Sequence, residues 1–177
     1  MKIRDRLILG LLSGIIANMG KNIASSCAEK KGLTQLSYVD AAAGFFLKKR
    51  DIKTFPGQLV GILADFSTAI TIGIVNTYML TNTGKDHWFL KGVGIGSIFW
   101  VTFYGFLGGL GKNQPVYPVA PRTALSSFLG HVLFGILSNF IVVKLGDESL
   151  FKENQIPGKG CQIKGEKRRV RGKIRKK

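Results

Sequence analysis

The chain has 177 residues, of which 45% are hydrophobic and 23 are glycine, and its mean hydropathy is positive despite a formal net charge of +16. That combination excludes an ordinary water-soluble domain, and the length suits one compact unit rather than several. Cys27 and Cys161, the two cysteines, lie in segments of very different character, so no disulfide framework is expected.

The first apolar run, Leu7 to Ala28, follows the basic opening MKIRDR and reaches the roughly 20 residues that a helix needs to cross a bilayer. This opening imitates a secretory signal, and Ala24-Ser25-Ser26-Cys27 imitates a lipoprotein cleavage box. Lys21, between the run and the cysteine, argues against both, so a retained span is expected. Next, Leu36, Val39, Ala43 and Leu47 recur at helical spacing ahead of the cluster Lys48-Lys49-Arg50. This is the pattern of a short amphipathic helix, lying in the membrane interface or packed as a loop helix on the bundle. The second run, Pro56 to Leu80, carries Asp65 as its one charge, and the third extends from Phe89 to Leu110. Asn113 to Pro121 holds three prolines and reads as a stiff, extended connector. The fourth run, Thr123 to Leu145, contains His131 and ends with Lys144.

The expected fold is therefore all-α: a polytopic four-transmembrane-helix bundle over residues 1–150, with a short interfacial helix after the first span. Residues 151–177 form a basic tail with 11 cationic and two acidic residues from Lys152 onward, and no apolar periodicity to build a core. It is expected to be disordered by itself. Its cluster Lys167, Arg168, Arg169, Arg171, Lys173, Arg175, Lys176 and Lys177 suits anionic phospholipid headgroups, or merely anchors topology. Nucleic acid is the weaker alternative, because no aromatic residue interleaves the charges to stack on bases. With four crossings, lysine and arginine divide 17 to 8 in favour of the side holding both termini, which the positive-inside rule assigns to the cytoplasm. The tail decides that majority, since without it the division is 6 to 8.

Helices in lipid associate through close backbone packing and polar contacts, and small residues at four-residue spacing permit both. Gly10, Gly14, Asn18, Asn22 and Ser26 form such a stripe in the first run, and Gly57, Gly61, Asp65, Ala69 and Gly73 in the second. Gly92 and Gly96, then Gly105 and Gly109, mark the third; Ser127, His131, Gly135 and Asn139 mark the fourth. Polar residues fall on the stripes, so they are expected to face the bundle. Glycine motifs for nucleotides are not present: Gly92-Val-Gly-Ile-Gly96 lacks the dinucleotide spacing, and Gly108-Gly-Leu-Gly-Lys112 lacks the leading glycine and following hydroxyl of a P-loop.

Helical rise gives the depth of the ionisable groups. Counted from the interface shared by the relevant helix ends, Lys21 lies about 10 Å deep, Asp65 about 13 Å and His131 about 12 Å. The three should meet in one polar layer with Asn18 and Asn22, where Lys21 and Asp65 pair because an isolated charge in hydrocarbon costs at least about 2.5 kcal/mol. Such a layer either fixes helix register or serves as a proton or ion relay. Asn76 and Asn139, nearer the other face, would extend a path only weakly.

The segments KIRDRLILGLLSGIIANMGKN, SYVDAAAGFFLKKRD, PGQLVGILADF and GKDHWFLKG together resemble a group of small integral membrane proteins of Gram-positive, often spore-forming bacteria. The resemblance spans roughly residues 2–110 and implies a bacterial plasma membrane, without implying an activity, a substrate or an active residue. From the residues themselves, no catalytic, metal or cofactor motif emerges, and a membrane enzyme is disfavoured. A scaffold or interaction protein, alone, as a homo-oligomer or with another membrane protein, is the first expectation. The alternative is a subunit of a small transporter or channel using the Lys21, Asp65 and His131 layer.

Overall fold

The structure, a computed structural model, describes residues 2–34, 37–107 and 120–151. Helix α1 covers Arg6–Lys30, the short α2 Tyr38–Gly44, α3 Phe55–Thr83, α4 Trp88–Trp100 and α5 Pro121–Leu145. Helix α4 runs on directly into a π-helical segment, Val101–Leu107, and a 3-10 turn, Glu148–Leu150, follows α5. Local chemistry sets several of the ends. Asp5 accepts the Ile8 N–H at 2.9 Å to start α1, and Thr54 accepts the Gly57 N–H at 3.2 Å to start α3, satisfying amides that have no intrahelical partner. Pro121 occupies the first turn of α5, where its missing N–H is harmless. At the other end of α3, Lys91 donates to the carbonyls of Thr83 and Gly84 at 3.2 and 2.9 Å, placing a cation on the helix's negative pole.

Among the described residues, three helices, α1, α3 and α5, are long and apolar enough to cross a membrane; the expected third span, Phe89 to Leu110, is divided as far as Leu107 between α4 and the π segment and is not one of them. Their surface distribution fits that solvent. Large apolar side chains point outward, with Leu63 67% and Ile23 65% exposed, while Ser13, Asn18, Asn76, Ser138 and Asn139 are fully enclosed. Water would favour the reverse; lipid is itself apolar and leaves polar groups to find partners inside.

The packing follows the small residues. Helices α1 and α3 are antiparallel: a Cβ on Gly10 would lie 2.6 Å from the Ile74 backbone, and one on Gly14 would meet Ala69 and Ile70. Gly73 lies against Gly10 and Gly14 in turn. Helices α4 and α5 form a second antiparallel pair through Gly92 against Gly135 and Gly96 against the His131 backbone. Helices α1 and α5 pack together, so α3 and α4 are the outer members of the row and barely touch. Ala17, Ala69, Ile72, Phe134 and Ile141 fill the middle, and Leu9, Leu80, Val142 and Phe151 the end near the N-terminus.

Several expectations need correction. Gly57 approaches the Asp51–Ile52 backbone and Gly61 approaches Val39, so the upper part of the α3 stripe seats the α2 region instead of a long helix. Gly105 is exposed and would bring its Cβ near Val101 alone among the described residues, because the wider π turn carries it off the α4 stripe. Gly109 and the connector from 113 to 119 lie outside the described residues. Helix α2 stops at Gly44 and does not run on to Leu47; it buries Tyr38, Asp40 and Ala41, while Phe45 and Phe46 are exposed. Of the expected apolar face, Ala43 is buried and Val39 lies against Gly61, while Leu36 lies outside the described residues. Close approaches also lie off the expected stripes: Gly20 faces Leu137, Gly130 faces the Tyr38 hydroxyl and Gly146 lies against the Phe151 ring.

The start of α1 and the end of α5 are tied together at one end of the bundle. Ile3 donates its N–H to Leu145 O at 2.9 Å and accepts from the Asp147 N–H at 3.0 Å, while Lys2 Nζ donates to Lys144 O at 2.8 Å. Lys85, in the turn between α3 and α4, pairs with Glu148 and sits 5.0 Å from the Phe151 ring centroid.

Backbone contact at Gly96 leaves no room for a side chain, whereas a Cβ on Gly94 would meet nothing within 4 Å. Gly96→Val is expected to destabilise the protein in detergent by about 1–3 kcal/mol, the usual range for overpacking. Gly94→Val should leave thermal unfolding close to wild type; equal effects of the two would contradict the α4–α5 seam.

Candidate functional site

The polar layer forms around Asp65 of α3. Lys21 Nζ of α1 donates to Oδ1 at 2.7 Å, and the side-chain amides of Asn18 and Asn22 donate to Oδ2 at 2.7 and 2.8 Å. The helical spacing of residues 18, 21 and 22 puts all three donors on one face of α1, and the glycines beside them bring that face close enough to reach the carboxylate. Lys21 is 5% exposed and Asp65 6%, so the ion pair is enclosed. In such surroundings the attraction is sustained by further hydrogen bonds, here the two amides on the second carboxylate oxygen.

His131 joins this layer differently from expectation. Its Nδ1 lies 2.8 Å from Ser127 O. A carbonyl only accepts, so Nδ1 carries a hydrogen and, in the neutral ring, Nε2 presents a lone pair. The ring is held edge-to-face between Tyr38 and Tyr104, at centroid separations of 5.3 and 5.2 Å. Tyr38 links the two parts of the layer: Lys21 Nζ sits 4.3 Å from its ring centroid, and its hydroxyl donates to Ser127 O at 3.2 Å. Burial raises the Tyr38 phenol above its usual 10.0, which keeps it a neutral donor.

Helix α2 is clamped in place by Asp40, whose carboxylate accepts from Lys53 at 2.5 Å and from Gln58 at 2.8 Å. Gln58 also donates to Ile52 O at 2.8 Å, and Ser37 caps the helix by accepting the Asp40 N–H at 3.1 Å. Burial alone would raise the Asp40 carboxyl, but hydrogen bonds from Lys53, Gln58 and Ser37 outweigh it and hold the group below its usual 3.8.

Beneath α2, between α3 and the π segment, lies a cavity of about 240 Å³. Lys21, Asp65 and His131 are among its polar lining, with Thr68 and the two tyrosines; Phe46, Phe103 and Phe134 are among its apolar walls. Toward the N-terminal end of the bundle it meets Ala69, Ile72 and Phe134, members of the central apolar cluster. The next polar group beyond is a separate one, in which Asn76 donates to Ser138 Oγ at 3.1 Å and Asn139 to Trp88 O at 2.8 Å.

Sequence reasoning thus located Asp65, Lys21, Asn18 and Asn22, and the structure brings all four into contact. It does not bring His131 into hydrogen bonding with them. The sequence reading missed Tyr38 and Tyr104, and the available signal was weak: each stands among other aromatic residues, Phe45 and Phe46 or Phe99, Trp100 and Phe103, in a segment read by apolar periodicity. The lipid-facing candidates from Lys167 to Lys177 lie outside the described residues. Among the described residues, no three histidine, cysteine, aspartate or glutamate side chains gather as metal ligands. No protein-family model, curated protein or solved structure matches the chain. The class it falls in is set by its own geometry: a helical protein with three membrane-competent helices among the described residues, compatible with embedding in a membrane.

Two outcomes are expected. Lys21→Ala and Asp65→Ala should each lower stability in detergent by about 3–5 kcal/mol, because each strands a buried partner, and the double variant should cost clearly less than their sum. Strict additivity, measured by reversible denaturation, would mean that the pair does not interact. For Asp40, a depressed folded-state pKa contributes stability above 3.8 that is lost as pH falls through the folded value. Hydrogen exchange in residues 38–44 should accelerate between pH 5 and pH 3 beyond the intrinsic pH effect, and Asp40→Asn should abolish that excess.

Proposed function

We propose that the protein is a multi-pass integral membrane protein of the bacterial plasma membrane whose four-crossing bundle serves as a structural or interaction scaffold, not as a conduit. The observation that carries the scaffold reading is the donor set of Asp65: three donors from a single helix engage both oxygens of its carboxylate, as a group that fixes helix register requires. The apolar cluster of Ala69, Ile72 and Phe134 below it, separating it from the Asn76 group, supports the same reading.

The fourth crossing is α4 with its π-helical extension. Residues 2–4 hydrogen-bond with residues 144–147, so the start of α1 and the end of α5 lie on one side. An even number of crossings is needed between them, and three long helices leave α4 and the π segment to supply the fourth. The charge count favours the cytoplasm for that side, and the tail, with Lys167 to Lys177, would rest on anionic headgroups there. The resemblance of residues 2–110 to small membrane proteins of Gram-positive bacteria agrees with this location.

A transporter subunit is the second reading, favoured by the cavity that reaches Lys21 and Asp65 from outside the bundle. Cysteine labelling separates the two. In a Cys27→Ser, Cys161→Ser background, single cysteines at Lys31 and Arg122 should react with an impermeant thiol reagent from one side of the membrane, and at Asn82 from the other. Asn82 and Arg122 reacting from the same side would remove the fourth crossing. Along α3, cysteines at Ala64, Thr68, Ile72 and Asn76 should lose reactivity from both sides at Ile72 and Asn76; labelling that continues through them would favour transport.

A further inference from the structure

We propose that the cavity beneath α2 is a lateral binding site for a neutral lipid alcohol, a partial glyceride of the diacylglycerol class. The proposal requires the bundle to sit in a membrane, and it holds with or without α4 as a crossing.

The shape argues for a membrane-borne ligand. The cavity lies in the gap between the two outer helices, α3 and the α4–π rod, and Phe45 and Phe46 line it while remaining 42% and 69% exposed, which puts them at its mouth. At about 240 Å³ it exceeds the roughly 150 Å³ that accommodates benzene in an apolar protein cavity. It falls below the roughly 300 Å³ at which sites for whole drug-sized molecules begin. It therefore takes a headgroup and the start of a chain, with the rest of the chain left among the surrounding lipid.

The polar lining selects the headgroup. Lys21 and Asp65 neutralise each other, so an anion would approach a carboxylate and leave an unbalanced charge in hydrocarbon, while a cation would meet Lys21 and a carboxylate whose two oxygens already have donors. A neutral group remains. The ammonium of Lys21 has three N–H groups and donates one hydrogen bond, to Asp65, so it can donate another. His131, with Nδ1–H directed at Ser127 O, offers Nε2 as an acceptor. A hydroxyl accepts from the first and donates to the second, and an adjacent ester carbonyl can accept the remaining Lys21 N–H. The walls from Phe45, Phe46, Phe103 and Phe134 suit the alkyl chain.

The test uses the full chain in phosphatidylcholine nanodiscs with photoactivatable, alkyne-tagged diacylglycerol, against phosphatidic acid and phosphatidylcholine bearing the same photoactivatable chain. Diacylglycerol should label the protein at least fivefold more than either comparator, with adducts in the peptides holding Phe45–Phe46 and Phe103–Tyr104. Unlabelled dioleoylglycerol should compete, and Ala64→Trp, which fills the cavity, should reduce labelling at least fivefold. Equal labelling by the three probes would overturn the proposal as general lipid contact, and a preference for phosphatidic acid would overturn it as an anion site. Because competition is measured on the unmodified chain, its failure counts against the site even if Ala64→Trp does not fold.

Discussion

The hydrogen-bonded ion pair between Lys21 and Asp65 is the constraint on which the arrangement of the bundle depends. Apolar surfaces slide against one another in lipid with little preference, since lipid tails and leucine side chains are equivalent solvents. A carboxylate that accepts from Lys21, Asn18 and Asn22 has one satisfactory position along α1. Moving α3 by a turn in either direction would leave charged and amide groups without partners in a medium that supplies none. The Gly10, Gly14 and Gly73 contact then follows from the same register, a little further along the helices.

The second helix pair is aligned by shape, with Gly92 and Gly96 receiving the backbone of α5 at Gly135 and His131. It is coupled to the first through α1 and α5, whose contact includes the weak hydrogen bond from Ser138 to Ser13 at 3.4 Å. Beyond the bundle, residues 2–4 and 144–147 tie the ends, and Lys85 with Glu148 ties the α3–α4 turn to the same surface. Fixed ends on one side and a polar register layer toward the other leave little freedom for the helices to shift axially.

The outer half is where the regular pattern breaks. The α-helix gives way to a π turn at Val101, which sets Phe103 and Tyr104 against the gap between α3 and α4. Such widened turns recur at functional positions because they redirect side chains that a continuous helix would place elsewhere. Helix α2, held by Asp40, covers the same gap and brings Tyr38 over Lys21. The cavity is thus covered by α2 and flanked by the π segment, while the long helices supply Lys21, Asp65 and His131 to its lining.

Periodicity and composition in the sequence determined the all-helical class, the approximate limits of the three long apolar helices, and the residues Asn18, Lys21, Asn22 and Asp65. Each of these follows from chain-local physics: the length needed to span hydrocarbon, helical rise, and the rule that polar groups share a face with small ones. The position of Tyr38 between Lys21 and His131, the divergence of Gly105 from its stripe, and the pairing of residues 2–4 with 144–147 belong to the tertiary structure alone. They depend on contacts between segments far apart in the chain, or on a change of helical pitch that local sequence pattern does not encode. Helical rise placed His131 at the right depth, but depth is one coordinate; rotation about the helix axis and the neighbouring Ser127 carbonyl decided that its ring lines the cavity instead of bonding the ion pair.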